Sequence, residues 1–122
     1  MSKPLALVVE DHPDSGEIFS QAMEAAGFQA KLIDSGDKAL AWLAAQVPDV
    51  VVLDLQLPHV SGIEILHHIR ADPRLARTPV IVVTAHPESG VFLQKRADLV
   101  LIKPVSFVRL RDLAMQLRSQ GE

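Results

Sequence analysis

The sequence predicts a doubly wound α/β domain, a five-stranded parallel sheet with helices on both faces. Three observations carry that prediction. Five short apolar runs recur along the 122 residues, segments of helical period separate them, and each run is followed by a polar residue. Parallel strands need long crossovers, and helical crossovers turn right-handed, so this alternation lays helices over both faces of one sheet.

The runs are Leu5 to Val9, Gln29 to Ile33, Asp49 to Leu53, Pro79 to Val83 and Asp98 to Ile102. They are largely uninterrupted by polar residues, which suits strands covered on both faces. Between the first two, Asp14 to Ala26 carries Phe19, Ala22, Met23 and Ala26 at i, i+3, i+4 and i+7, and Gly27 follows as a stop. Ser35 to Gln46 repeats the pattern with Leu40, Leu43 and Ala44, and Ser61 to Arg70 with Ile65, Leu66 and Ile69. The last helix, Ser106 to Arg118, has Ser106 as its N-cap and an apolar face of Phe107, Leu110, Leu113, Ala114 and Leu117. Its other face is basic, with Arg109, Arg111 and Arg118. Pro87, Ser89 and Gly90 interrupt the only room for a further helix, between Ala85 and Ala97, so that fourth crossover helix is expected to be short or irregular.

A mass of 13.3 kDa, with 48% hydrophobic and 22% charged residues, fits a single domain over residues 1–122. A chain of this size buries about two-thirds of its surface, enough for a core without staples. The absence of cysteine excludes disulfides, thiolate metal sites and a cysteine nucleophile. A net charge of −3 with scattered lysines and arginines offers neither a nucleic-acid footprint nor a polybasic membrane patch. No run is long enough to span a membrane, and the acids after Val9 do not suit a signal peptide, so a cytoplasmic location is expected.

In open parallel sheets, ligands bind beyond the carboxyl ends of the strands. Here those ends carry Glu10-Asp11, Asp54, Thr84 and Lys103-Pro104. Three carboxylates on adjacent strand ends repel one another, by roughly 3 kcal/mol per pair at about 5 Å and an effective dielectric near 20. A cation must sit among them. Lys103 supplies one charge, and an all-oxygen donor set suits a hard ion, Mg²⁺ above Ca²⁺. The bland reading, solvated loop acids, does not account for Thr84 and Lys103 standing at the neighbouring ends.

The order Glu10-Asp11, then VVLDLQLP from Val51 to Pro58 followed by Gly62, then Thr84-Ala85, then Lys103-Pro104, resembles the receiver domain of two-component response regulators, of the chemotaxis-regulator type, over essentially the whole chain. The resemblance implies a flavodoxin-like strand order 2-1-3-4-5. It implies that Asp54 is the phosphoacceptor, and that Asp11, Asp54 and the backbone carbonyl of Gln56 ligate Mg²⁺ while Glu10 acts through a water. Thr84 and Lys103 would contact the phosphoryl group, the amides of Leu55 and Ala85 would complete its cradle, and the Lys103-Pro104 bond would be cis. The implied partners are a histidine kinase or phosphotransfer protein and a downstream target or covalently linked output domain, with the chain a monomer or weak dimer. It would be a phosphoacceptor with weak autodephosphorylation and not a turnover enzyme.

Three features depart from the family pattern, one being that the segment from Thr84 to Lys103 is shorter than usual and lacks the Gly-Ala that commonly precedes the last strand. Glu10 stands where an aspartate is commoner, and Val100 occupies the position three residues before the lysine where relatives carry a rotating aromatic. A valine cannot swing between buried and exposed positions, so phosphorylation is expected to act by ordering residues 85 to 97. His12 and His86 suit exposed turn positions, His67 and His68 have no metal spacing, and Trp42 lies well off the apolar face of its helix, which puts it at the margin or exposed. Three other functions fit the sequence less well. A pseudo-receiver would act as a phosphorylation-independent interaction module and would not need the full set of strand-end residues. A haloacid-dehalogenase-like phosphohydrolase wants Asp-x-Asp after the first strand, where this chain has Glu10-Asp11-His12. A flavodoxin wants hydroxyls and amides in a first loop that is acidic here.

Overall fold

The computed structural model describes residues 3–86 and 96–120. Its elements run β1 (Leu5–Val9), α1 (Pro13–Ala25), β2 (Gln29–Ile33), α2 (Gly36–Ala45), β3 (Val50–Asp54), α3 (Gly62–Ala71), β4 (Val80–Thr84), β5 (Leu99–Ile102) and α4 (Phe107–Gln120). All neighbouring strands pair in parallel, and their order is β2-β1-β3-β4-β5. The crossover segment expected between Ala85 and Ala97 falls largely on residues 87–95, outside the described residues.

Strand alternation divides the core in two. Ala6, Val8, Val50, Val52, Ile81 and Val83 face α1 and α4, where they meet Phe19, Met23, Leu110 and Ala114. Leu7, Val9, Val51, Leu53, Val80 and Val82 face α2 and α3 and meet Leu43, Ile65, Leu66 and Ile69. Each fully buried large side chain contributes about 2 kcal/mol through the water it sheds, so the central strands β1, β3 and β4 anchor the domain.

Three expectations need correction. In α2 the inward residues are Ala39 and Leu43 with Leu40 beside them, whereas Ala44 is exposed. The helix begins one turn before the apolar pair, and Ala39 is the residue four before Leu43, one turn earlier on the same side. Cover on both faces does not extend to the sheet edges: Gln29, Lys31 and Leu32 of β2 and Ile102 of β5 are exposed. Finally, β3 and β4 each run one residue later than predicted, so Asp54 and Thr84 are the last residues of their strands and not the first of the following loops.

Hydroxyl caps start α3 and α4, with Ser61 Oγ accepting from the Glu64 amide at 3.3 Å and Ser106 Oγ from the Arg109 amide at 3.1 Å. Trp42 is half-buried at the margin of the core. On α4, Arg111 reaches Asp112 and stacks over Phe107, while Arg109 and Arg118 are exposed.

Arg70, near the end of α3, was not singled out by its sequence pattern, yet it ties three segments together. Its guanidinium donates to the carbonyls of Arg96 (2.7 Å), Thr78 (2.8 Å) and Ala76 (3.2 Å) and pairs with Asp98 at 2.9 Å. The same Asp98 oxygen accepts from the Val80 amide at 2.8 Å, fixing the start of β4. Asp98 is 44% exposed, so the ion pair itself is worth well under about 1 kcal/mol, and the carbonyl bonds carry the rest. Arg70→Ala is expected to destabilise the domain by about 2 kcal/mol in urea unfolding, with the slope unchanged.

Candidate functional site

Strand parity decides which strand-end residues meet. Glu10 follows Ala6 and Val8 in step, Asp54 follows Val50 and Val52, and Lys103 follows Leu101, so all three continue the series that faces α1 and α4. They converge at the carboxyl edge. Lys103 Nζ donates to Glu10 Oε1 at 2.9 Å and to Asp54 Oδ2 at 3.2 Å, and both carboxylates are almost wholly buried. Asp11 joins them: one oxygen from each of Glu10, Asp11 and Asp54 lies within 4.8 Å of the others.

The remaining bonds hold this arrangement. Asp54 Oδ1 accepts the Gln56 amide at 3.0 Å, and Glu10 Oε2 accepts the His12 amide at 3.3 Å. The Leu55 amide donates to the Val83 carbonyl at 3.3 Å, and Gly62 donates to the Leu55 carbonyl at 3.0 Å. A side chain at Gly62 would collide with the Asp54 carbonyl and the Leu55 backbone, so glycine there lets α3 start hard against the end of β3.

Thr84 follows Val80 and Val82 and therefore starts on the opposite face; its buried hydroxyl accepts the His86 amide at 3.1 Å. Ala85 and His86 are exposed, and His12 presents its ring to solvent. Val100 is half-buried against the α2 and α3 side of the core. The Lys103-Pro104 bond is cis. The structure thus brings Glu10, Asp11, Asp54 and Lys103 together, with Gln56 beside Asp54, and leaves the Thr84 hydroxyl on the His86 amide. The reach of Glu10 to Lys103 was not anticipated: the extra methylene of glutamate lets it take the shorter of the two lysine bonds.

Glu10 and Asp54 share the Lys103 ammonium, whereas Asp11 Oδ1 is buried without a hydrogen-bond partner among the described residues. A buried carboxylate oxygen left so is costly unless a cation completes it. The oxygen donors suit a hard divalent ion, so the residues present fit Mg²⁺. Burial, followed by the neighbouring Asp54, pushes the Glu10 carboxyl above its ordinary 4.5 despite the opposing Lys103. Lys103 also titrates above its ordinary 10.5: burial acts against the charged form, but the two carboxylates together outweigh it.

Glu10 makes the stability of the fold depend on pH. Its folded form holds the proton more tightly than the unfolded chain, so its contribution is full below pH 4.5 and is lost as pH rises through the higher folded value. In chelator-treated protein, the melting temperature of wild type should therefore fall relative to Glu10→Gln as pH rises above 4.5. Parallel curves across that window would remove the Glu10 proton from the account.

The family model described as the response regulator receiver domain matches residues 6–115. The phosphate regulon transcriptional regulatory protein PhoB of Rhizobium meliloti (strain 1021) is 36% identical over 124 residues, an alignment covering 98% of this chain and 55% of that protein. The chain thus spans about half the length of that relative. The polar-differentiation response regulator DivK of Brucella ovis is 33% identical over 106 residues, covering 84% of this chain and 86% of that protein. Among solved structures, the receiver domain of Francisella response regulator 1452 superposes with a TM-score of 0.86 at 26% identity, covering 98% of this chain and 99% of that one.

Proposed function

The chain belongs to the response regulator receiver domain family, and from that premise we propose that it accepts a phosphoryl group on Asp54 from a histidine kinase or phosphotransfer protein and passes the signal on by changing its partner contacts. The observation that supports this most is the cluster of Glu10, Asp11 and Asp54 carboxylates, two of them buried, with Lys103 bonded to Glu10 and to Asp54.

In the transfer, an Asp54 oxygen attacks phosphorus in line with the donor imidazole; the P–O bond forms as the P–N bond breaks, and the imidazole nitrogen leaves with the bonding pair. Mg²⁺, held by Asp11, Asp54 and the Gln56 carbonyl with Glu10 acting through a water, would supply the neutralisation of charge on the phosphoryl oxygens that such a transfer needs. Lys103 is already shared between Glu10 and Asp54 and has only to shift its bond from Asp54 to a phosphoryl oxygen. The Thr84 hydroxyl accepts the His86 amide and keeps its own proton to donate to another phosphoryl oxygen. The Leu55 amide must give up the Val83 carbonyl, whereas Ala85 is exposed at the rim.

The chain is in this reading a substrate that helps its own phosphorylation, with weak autodephosphorylation and no turnover of other molecules. Its place is the cytoplasm; no helix among the described residues is long and apolar enough to cross a membrane. The readout runs through Thr84 and Ala85 into the segment beyond, without an aromatic at Val100. Intact-mass spectrometry after acetyl phosphate and Mg²⁺ tests the reading: one phosphoryl group, lost on hydroxylamine treatment as acyl phosphates are, supports it. An unlabelled wild-type protein would favour a phosphorylation-independent interaction module.

A further inference from the structure

A second recess lies at the other end of the sheet. It occupies about 480 Å³ between the last turn of α4 and the amino ends of β3 and β4. Val50 begins β3 there and Asp54 ends it, so the recess and the acidic cluster are separated by the strand's length, roughly 13 Å. Its floor is apolar, formed by the buried Phe28 and Val50 with Leu117 and Pro79.

Two arginines, Arg77 and Arg118, line it. Arg70, Arg74 and Arg111 are each tied to a carboxylate, but neither Arg77 nor Arg118 has a hydrogen bond or ion pair to any described residue. The Arg118 guanidinium is nonetheless placed. It packs against the backbone of Gly27, whose φ of +102° and missing Cβ leave the space it fills. The one acid among the described residues of the lining, Asp49, commits an oxygen to the Leu5 amide at 2.6 Å.

We propose that this recess, between Arg77 and Arg118 over the Phe28 and Val50 floor, binds a small organic anion, a carboxylate or phosphate head on an apolar body. Two cations without partners among the described residues, beside an apolar floor, suit a ligand that is charged at one end only, and the volume falls within the range of small-molecule pockets. In this proposal the head meets the two arginines of the lining and the body lies against Phe28 and Leu117. The site is separate from Asp54, and its occupancy does not require phosphorylation.

The probe is 1-anilinonaphthalene-8-sulfonate, titrated into the folded full chain and followed by fluorescence and by amide chemical shifts. One saturable site is expected, with shifts clustered at Phe28, Val50 and Leu117. Octanoate should displace the dye where octanol does not. The Arg77→Gln, Arg118→Gln double variant, altered only at exposed positions, should keep its fold by circular dichroism and bind at least about tenfold more weakly, the loss expected for one charge-assisted hydrogen bond. Non-saturable binding, shifts elsewhere, equal displacement by octanol, or undiminished binding by the folded double variant would overturn the proposal. Asp54→Asn should bind the dye as wild type does, so failure here and failure of phosphorylation are read separately.

Discussion

Asp54→Asn is expected to acquire no phosphoryl group from acetyl phosphate and Mg²⁺ under conditions that label the wild type, while keeping its fold. The amide has no anionic oxygen to attack phosphorus, so the loss should be complete within detection by intact-mass spectrometry. Stability should change little, because two effects oppose each other. Asparagine can keep an oxygen toward the Gln56 amide, now held at 3.0 Å, and it removes one negative charge from a crowded cluster. Against this, its NH₂ group faces the Lys103 ammonium, donor against donor, where the carboxylate accepted at 3.2 Å. Lys103 still has Glu10 at 2.9 Å, so the ammonium is not stranded. A net change within about 1 kcal/mol follows, the size of one ordinary hydrogen bond. Continued labelling of the variant at the wild-type level would take Asp54 out of the centre of the site.

The sheet was legible because β1, β3 and β4 are buried on both faces, and such strands read as continuous apolar runs whatever covers them. Edges are harder. β2 has the burial of a strand lying half in solvent, and Lys31 within it carries that information only faintly. Ala44 misled because alanine has little hydrophobic weight, so Ala39 and Ala44 look alike in the sequence and only the helix phase set by Leu43 tells them apart. Strand ends shifted by one residue for a related reason: a polar residue reads as a boundary, yet Asp54 and Thr84 complete the ladder before their side chains turn to chemistry.

The site was legible as a set and not as a geometry. Polar residues at four strand ends are visible in sequence, and the order of the strands brings them to one edge. Which of them touch depends on parity and on arm length. Glu10 reaches Lys103 because a glutamate is one methylene longer, and Thr84 faces away because it falls in step with Val80 and Val82. Arg70 gave no signal because its partners are mostly carbonyls, which every residue has and no motif records.

Asp11→Ala is expected to melt no lower than wild type without divalent ions, and well below it with them. In the metal-free protein, Asp11 brings a third carboxylate within 4.8 Å of Glu10 and Asp54 and keeps a buried oxygen without a partner. At that spacing each like-charge pair costs up to roughly 3 kcal/mol at an effective dielectric near 20. Opposing this, Asp11 stands just before α1, where a negative charge gains about 0.3–1 kcal/mol from the helix dipole. Repulsion is the larger effect, so deletion relieves the apo fold. Mg²⁺ reverses the sign. An ion that binds only the folded state adds about 2.7 kcal/mol at a hundred times its dissociation constant. At about 4 °C per kcal/mol for a domain of this size, that raises the wild-type melting point by roughly 10 °C. Without Asp11 the donor set loses a carboxylate, and the same titration should move the variant by a small fraction of that. The two melting curves should thus exchange order between chelator and millimolar Mg²⁺. Curves that stay in one order through the titration, or a wild type that does not respond to the ion at all, would rule out Asp11 as the ligand that makes this acidic cluster a metal site.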